Sequence, residues 1–482
     1  MKDWDPLLEE LEERRRAARA MGGPERIERL MRARGKLDAR ARLDLLFDPG
    51  SFVEIGTLVG GPEAPADALV AGMGLVEGRR VLAGAEDFTV LGGSIGSGSM
   101  AKRYRICELA LQERVPLVFM LDGAGHRLTD TGGGRAPNDL LALADLSGHV
   151  PMVCLVLGAS AGHGALTAPL SDFVVMTDAA AMFTGGPPLV KEATGEDVTK
   201  EELGGARLCT EVSGVAHARV ADDPAAIALA RRYLSHLPSR RGEPAPRRDG
   251  PDREKRLLDE ILAIVPVNSR RPYDMHRVLE LLVDEGSLLE IQPSYGKPLI
   301  TALAFLGGRS VAIVASNPAE GAGAIDSAAA VKGADFLDSI GAFELPVVFL
   351  ADNPGIMAGV AAERSGILKW GGRMFKAQRR VRGPKLHVTF RKAFGFGTSI
   401  MGQNPFDRQT ATYAFPALTL GAMPASSGGR SAKLDDEERA RLAREQAQAA
   451  WRMASRMGVD EVIDPRELRN ALIDGLTLSA GR

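Results

Sequence analysis

The sequence predicts an α/β fold that is built twice in tandem. Residues 115–122 (VPLVFMLD) return as residues 345–352 (LPVVFLAD), and other segments recur in the same order at nearly the same spacing. Residues 153–157 form a continuous apolar run without alternation, which is typical of a strand buried on both faces. Because helical stretches such as residues 100–112 alternate with these strands, we expect βαβ crossovers and mainly parallel sheets.

The elements of the first copy follow from periodicity and from the positions of glycine. Residues 1–45 carry leucines at helical spacing among arginine and lysine, so we expect helix there. Three short strands should follow, at residues 52–55, 68–74 and 80–85. A glycine-rich loop at residues 92–98 then leads into the next helix.

Proline and arginine mark the boundary between the two copies. Four prolines lie among many arginines between residues 238 and 251, which favours an extended and solvated connection. We therefore expect an N-terminal domain at residues 1–240, a linker at residues 241–256 and a C-terminal domain at residues 257–482. A strongly helical segment at residues 435–457 is expected near the end of the second domain.

Composition and charge exclude several classes of function. The 482 residues include 60 basic and 62 acidic side chains, and the formal net charge of −2 gives no field that favours nucleic acid or an anionic membrane. The three cysteines form no CxxC pair, so we expect reduced thiols and no metal site. The N-terminal segment lacks the apolar core of a signal peptide, and we expect a cytoplasmic protein.

Glycine-rich loops follow three of the predicted strands, at residues 122–127, 158–165 and 391–398. In parallel α/β sheets, ligands bind at the carboxyl ends of strands. A loop of small residues there can turn peptide N–H groups toward a ligand, and two such groups can form an oxyanion hole. The alternative, in which these glycines only make tight turns, stays open at this point.

Longer motifs carry a resemblance to a known family. The chain resembles the carboxyltransferase β subunits of biotin-dependent acyl-CoA carboxylases, of the propionyl-CoA and acetyl-CoA type. The resemblance is found in residues 352–363 (DNPGIMAGVAAE), 87–94 (DFTVLGGS), 185–206, 212–217 (VSGVAH) and 391–395 (RKAFG). It extends from about residue 25 to the C-terminal region.

This resemblance implies two tandem domains of the ClpP/crotonase type. It implies an enzyme that moves a carboxyl group from N1 of carboxybiotin to the α-carbon of an acyl-CoA, through an enolate held by backbone amides. Biotin would arrive on a partner protein, because the chain has no biotinyl-lysine motif and no ATP-grasp segment. The expected partners are the acyl-CoA, a biotin carboxylase with its biotin carboxyl carrier, and further copies of the chain in a hexamer, a trimer of dimers.

The family's motifs also map its functional residues onto the glycine loops. The residues implied in catalysis, through their backbone amides, are Gly162, His163, Gly164, Phe396 and Gly397. The residues implied in binding the acyl-CoA are Ala124, Gly125, His126 and Ser399, of which the last lies where the family selects acyl-chain size. The residues implied in binding biotin are Asp352, Pro354, Gly355 and Gly395, although a capped turn is the alternative role for Asp352.

These loops also depart from the family pattern. D-S-G-G-A-R becomes residues 122–127 (DGAGHR), C-A-G-G-A becomes residues 160–164 (SAGHG), and Y-G-G-A becomes F-G-F-G. His163 and Phe396 occupy duplicate positions of the two copies, so we expect pockets of altered shape. One hypothesis is that His126 or His163 contacts an unusual acyl group, and the alternative is that both rings pack away from it.

Other functions stay open beside a carboxyltransferase. The α subunit of a biotin-dependent acyl-CoA decarboxylase would run the same half-reaction in reverse. A non-catalytic scaffold would bind a biotin-carrying partner and transfer nothing. A biotin-independent hydratase is disfavoured, because the glycine loops carry no paired glutamates.

Overall fold

The computed structural model describes residues 3–127, 138–404 and 406–479. Contacts divide the chain into two compact units. The first unit ends at Arg241, and the second takes in His236–Pro238 and continues from Gly242. The assignment of one ligand to each domain stays a prediction.

The first unit alternates strands and helices as the sequence predicts. Its strands are β1 (Val53–Glu54), β2 (Leu69–Val76), β3 (Arg79–Glu86), β4 (Leu117–Gly123), β5 (Met152–Ala161), β6 (Phe173–Thr177), β7 (Ala181–Phe183) and β8 (Ala218–Val220). Its α-helices are α1 (Asp5–Arg19), α2 (Pro24–Leu30), α3 (Ala39–Leu46), α4 (Ser97–Glu113), α5 (Asp139–Asp145), α6 (Pro187–Thr194), α7 (Lys200–Gly204) and α8 (Asp223–His236).

The sheet of this unit is antiparallel at one edge and parallel elsewhere. Within the described residues the strand order is β1-β2-β3-β4-β5-β6-β8, with β7 paired to β5. The pairs from β3 through β8 are parallel, whereas β1, β2 and β3 pair antiparallel. Every residue of β4 is buried, as expected for a central parallel strand covered on both faces.

The N-terminal segment is three helices rather than the continuous helix expected for residues 1–45. Gly23 and Gly35 lie between helices and have φ of +87° and +69°, values that glycine adopts without strain. Pro24 then starts α2 at its first helical position. The Asp38 side chain caps α3 by accepting from the N–H groups of Arg40 and Ala41.

The second unit repeats this plan. Its strands are β9 (Leu289–Ile291), β10 (Leu299–Leu306), β11 (Arg309–Ser316), β12 (Val347–Asn353), β13 (Lys385–Phe394), β14 (Ala411–Ala414), β15 (Thr419–Gly421) and β16 (Glu461–Val462). Its α-helices are α9 (Ile261–Ile264), α10 (Met275–Leu282), α11 (Ser327–Ala342), α12 (Val360–Arg364), α13 (Ile367–Arg380), α14 (Gly395–Ile400), α15 (Ala425–Ser431), α16 (Asp436–Ala447), α17 (Ala449–Ala454) and α18 (Leu468–Leu478).

The second sheet confirms the internal duplication. In the described part of the chain its order is β16-β14-β13-β12-β11-β10-β9, with β15 paired to β13. The strand register shifts between Leu121 and Gly123 in β4, and it shifts between Ala351 and Asn353 in β12. This shift of register occurs at the same point of both copies, and it changes the direction of the backbone that enters the glycine loops.

Two segments differ in detail from their sequence-based predictions. The helix expected at residues 435–457 is interrupted near Gln448, between α16 and α17. The segment predicted as a linker contacts the second unit. The N–H of Arg248 donates to the Gly308 carbonyl at 2.8 Å, and the main chain of Arg247 forms an isolated antiparallel β-bridge with Arg309. A chain with these backbone pairs is anchored along part of its length rather than solvated throughout.

Candidate active site

Two loops of the first unit meet at the carboxyl ends of β4 and β5. Because these strands are parallel neighbours, residues 124–126 come to lie beside residues 162–164. Gly125 has φ of +85°, and a Cβ at this position would lie 2.6 Å from the carbonyl oxygen of Ala161. Only glycine fits this approach of one loop to the other.

The hydrogen bonds of these loops separate structural amides from available ones. The N–H of Gly162 donates to the Phe183 carbonyl at 3.0 Å, and the N–H of Ala124 donates to the Gly92 carbonyl at 3.0 Å. Among the described residues, the N–H groups of His163 and Gly164 have no hydrogen-bond partner. These two neighbouring donors are therefore free to bind a ligand oxygen, whereas Gly162 and Ala124 hold the loops in place.

The second unit has matching loops after β12 and β13. Gly355 and Gly395 have positive φ, of +122° and +56°. A Cβ on Gly397 would lie 2.3 Å from Asn353 Oδ1 and 2.7 Å from the Cα of Gly355. The N–H groups of Phe396 and Gly397 lie in the first turn of α14, where amides have no acceptor within the helix.

Asn353 is a functional candidate that sequence reasoning missed. Its side chain is fully buried beside Gly397, and its Oδ1 accepts from the Gly355 N–H at 3.1 Å. Its Nδ2 has no hydrogen-bond partner among the described residues. Because a buried amide donor without a partner is unfavourable, the group is suited to a carbonyl oxygen brought by a ligand.

Asp352 is fully buried in an ion pair. Its Oδ2 accepts from Arg391 Nε at 2.7 Å and from the Tyr273 hydroxyl at 3.0 Å. Arg391 Nη1 also donates to three main-chain carbonyls, those of Pro266, Asn268 and Arg271. The carboxylate therefore supports the loop that follows β12, and its predicted contact with biotin stays a prediction.

The first unit has an equivalent aspartate. Asp122 precedes the first glycine loop as Asp352 precedes the other, and it pairs with Lys36 and with Arg42. Arg42 Nε also reaches Asp223 Oδ2 at 2.8 Å, so α3 and α8 are tied to the end of β4. The sequence duplication predicts the two aspartates but gives no sign of their different basic partners.

A second buried cluster underlies the loop that follows β5. His163 Nε2 lies 2.5 Å from Asp139 Oδ1, and the other oxygen of Asp139 accepts from Arg103 Nε at 2.6 Å. Arg103 Nη1 lies 3.2 Å from Glu86 Oε1, and Arg103 Nη2 donates to Thr167 Oγ1 at 2.5 Å. Sequence reasoning missed Glu86, Arg103 and Asp139, which come from three separate elements.

The pKa values of the two carboxyl groups in this cluster are shifted in opposite directions. For Glu86, burial outweighs the Arg103 guanidinium and raises the pKa to about 7. For Asp139, burial also acts to raise the pKa, but the hydrogen bond from His163 and the charge of Arg103 together hold it below its usual value. Asp139 is thus the carboxylate that stays ionised beside His163.

The remaining predicted site residues lie around the loops of the second unit. Phe396 is 40% exposed, and its ring meets that of Phe375 edge to face at a centroid distance of 5.4 Å. Ser399 is partly buried, and its carbonyl accepts from Asn404 Nδ2 at 3.0 Å. Pro354 lines a cavity of about 440 Å³ together with side chains that include Lys392, Phe394 and Arg439.

Comparison with known proteins identifies the family. The family model described as "Carboxyl transferase domain" matches residues 31–481. The methylmalonyl-CoA carboxyltransferase 12S subunit of Propionibacterium freudenreichii subsp. shermanii is 36% identical, over 98% of this chain and 94% of that protein. The propionyl-CoA carboxylase beta chain of Roseobacter denitrificans is also 36% identical, over 97% and 95%.

A further relative and a solved structure extend the comparison. The methylmalonyl-CoA decarboxylase subunit alpha of Veillonella parvula is 35% identical, over 98% of this chain and 96% of that protein. The crystal structure of transcarboxylase 12S, described as a hexamer assembly with hydrolysed methylmalonyl-coenzyme A bound, superposes with a TM-score of 0.91 at 35% identity, covering 98% of this chain and 96% of that one. This match confirms two tandem crotonase-like domains.

None of the helices in the described ranges is long and apolar enough to cross a membrane. The motifs at the strand ends, the duplicated sheets and the family match over residues 31–481 agree with one another. The chain belongs to the carboxyl transferase domain family, the family of biotin-dependent acyl-CoA carboxyltransferases.

Proposed function

We propose that the chain is the carboxyltransferase subunit of an acyl-CoA carboxylase. The observation that carries this proposal is the repeated pair of available amides, His163 and Gly164 in the first unit and Phe396 and Gly397 in the second. A transfer between two carbonyl compounds needs negative charge stabilised on two oxygens, and each unit offers one such site. One preorganised donor contributes roughly 2.7–4 kcal/mol in a transition state.

The first unit is proposed to bind the acyl-CoA. The N–H groups of His163 and Gly164 would hold the thioester oxygen and stabilise the enolate that forms when the α-carbon is deprotonated. Gly125 would keep the neighbouring loop close, and His126 would lie at the acyl group. Because the donors belong to the main chain, the departures at His126 and His163 leave them in place.

The second unit is proposed to bind biotin on its carrier, which supplies the activated carboxyl group. The residues fit a ureido carbonyl, because Phe396, Gly397 and the unpartnered Asn353 Nδ2 are all neutral donors close to one another. Gly355, Gly395 and Pro354 would form the walls. Asp352 would act at a distance, by fixing the loop through Arg391 and Tyr273.

The proposed partners follow from the same relatives. The 12S subunit is described as a hexamer and as the core of a multienzyme complex, so we infer a hexamer for this chain. The biotin would be carried by a separate subunit, together with its biotin carboxylase. Ser399, half-buried in α14, remains the proposed selector of acyl-chain length.

The decarboxylase relative supports a second candidate. The Veillonella subunit is as similar to this chain as the carboxylases are, so overall identity does not separate the two directions of the reaction. A decarboxylase subunit would take the carboxyl group from an acyl-CoA and pass it to biotin on its carrier.

The test is carboxylation of a panel of acyl-CoAs. The purified chain would be combined with biotin carboxylase, biotinylated carrier, ATP and labelled bicarbonate, and label in the acyl-CoA would be measured. The proposal predicts acid-stable label that depends on the carrier. Label that never leaves the carrier for any acyl-CoA would support the non-catalytic scaffold instead.

A further inference from the structure

The imidazole of His163 is held at one nitrogen and unpartnered at the other. Nε2 lies 2.5 Å from Asp139 Oδ1, and Nδ1 has no hydrogen-bond partner among the described residues. Asp139 is itself fixed by Arg103, so the orientation of the ring is determined. A histidine oriented by a buried carboxylate, with its second nitrogen free, is the arrangement that general acid–base catalysis uses.

The charges of this cluster favour uptake of one proton. Glu86 and Asp139 carry two potential negative charges, whereas Arg103 contributes one positive charge. All three side chains are at most 3% exposed, so solvent screens the net negative charge of the cluster only weakly. One proton taken up by the cluster would neutralise it, and burial raises the pKa of the Glu86 carboxyl to about 7.

The fold does not require these residues. The positions of the second unit that correspond to Glu86 and Arg103 are Ser316 and Gly333, at the same places in β11 and α11. The position corresponding to His163 is Phe396, whose ring packs on Phe375. One copy of the fold is thus complete without the charged cluster, which points to a role for it in the chemistry of the first unit.

The ring of His163 lies within the glycine loops. Its own N–H is one of the two available donors of the first unit. Its side chain is 18% exposed, and its ring centroid is 6.3 Å from that of His126 in the neighbouring loop. An acyl thioester held by the amides of His163 and Gly164 would therefore have its α-carbon near this imidazole.

We propose that His163 is a general acid–base group that lets the first unit exchange the α-proton of an acyl-CoA without biotin. The neutral imidazole takes the α-proton at Nδ1, and the electron pair of the broken C–H bond is delocalised onto the thioester oxygen. The imidazolium, stabilised by Asp139, exchanges its proton with water and returns one to the α-carbon, which restores the C–H bond. The step needs no oxidant, metal or second substrate.

The test is deuterium incorporation into propionyl-CoA. The full-length protein, freed of biotinylated proteins on avidin, would be incubated with propionyl-CoA in D₂O, and α-deuterium would be measured by mass spectrometry. We expect exchange well above that in buffer. The variant His163→Gln keeps a donor for Asp139 but no base, and it should lose about 10²–10⁴-fold of the exchange rate.

The matched control is His149→Gln, since His149 is an exposed histidine before β5, at the opposite end of that strand. This variant should exchange as the wild type does. Wild-type exchange no faster than buffer overturns the proposal without any variant. Exchange by His163→Gln within about twofold of the wild type also overturns it, because general acid–base catalysis contributes far more than that.

This inference rests on the proposed function only in its assignment of acyl-CoA to the first unit. Carboxylation is measured separately, with carrier and bicarbonate. Exchange without any carboxylation would reject the carboxyltransferase role and keep the inference. Carboxylation without exchange would reject the inference alone.

Discussion

Single glycines set the geometry of both proposed oxyanion sites. A side chain at Gly125 would collide with Ala161, and one at Gly397 would collide with Asn353 and Gly355. The amides proposed to face a ligand are therefore positioned by contacts between two main-chain loops. This explains how His163 and Phe396 can replace small residues of the family pattern while the donors stay where they are.

Gly397→Ala is expected to abolish most of the carboxyl transfer. The added methyl group would lie 2.3 Å from Asn353 Oδ1, so the loop must shift and its donors with it. Loss of one oxyanion donor reduces kcat by about 10²–10³-fold. Initial rates with saturating substrates measure this effect.

Gly372→Ala is the matched control for that variant. Gly372 lies in α13, and a Cβ there would meet nothing within 4 Å. Alanine should keep full activity and stabilise the helix by about 1 kcal/mol. Equal losses of activity in both variants would contradict the assigned role of Gly397.

At the scale of elements, buried ion pairs fix the strands that carry the loops. Arg391 in β13 joins Asp352 at the end of β12 to three carbonyls between α9 and α10. In the first unit, Arg42 in α3 joins Asp122 to Asp223 at the start of α8. The ends of β4 and β12, which precede one glycine loop in each unit, are thus anchored by these ion pairs.

Arg391→Met should destabilise the second unit by about 3–5 kcal/mol, because it leaves the Asp352 carboxylate buried without its guanidinium. Tyr273→Phe removes one hydrogen bond to the same carboxylate and should cost about 1–3 kcal/mol. Urea unfolding measures both losses of stability.

The control is Arg373→Met, which breaks an exposed ion pair with Asp335 and should cost less than about 1 kcal/mol. A loss equal to that of Arg391→Met would contradict this account.

Buried His387 in β13 should make the stability of the protein depend on pH. Burial lowers its pKa from 6.5 to about 4, despite the opposing hydrogen bond to the Met401 carbonyl. Since the unfolded chain takes up this proton first, the stabilising contribution is complete above about pH 6.5 and is lost as the pH falls toward 4. The full loss is on the order of 3 kcal/mol.

The measurement is urea unfolding of the wild type and of His387→Gln between pH 7.5 and pH 4.5. Both proteins carry the same acidic residues, so the titration of those residues cancels when the two are compared. The difference in free energy of unfolding between the two proteins should shrink as the pH falls. A constant difference across this range would show that His387 does not stay neutral in the folded protein.

At the scale of the whole molecule, the duplication was predictable from the sequence because strands and their terminal aspartates recur in order. The glycine loops were predictable as well, since few other residues allow such close contact of two main chains. The cluster of Glu86, Arg103 and Asp139 was not, because its members come from β3, α4 and α5 and meet only in the folded unit. Likewise, hydrogen bonds from Gly162 and Ala124 to carbonyls elsewhere in the chain could not be read from their spacing.

The central claim is that the first unit binds the acyl-CoA and the second binds biotin. The most direct test is calorimetric binding of the acyl-CoA that the wild type carboxylates, to Gly125→Ala and to Gly397→Ala. The account predicts about tenfold weaker binding to Gly125→Ala, from a displaced hydrogen-bond donor, and a clearly smaller loss in Gly397→Ala, where only the proposed contact of Ser399 with the acyl chain is disturbed. Weakened acyl-CoA binding in Gly397→Ala, with wild-type binding in Gly125→Ala, would contradict it.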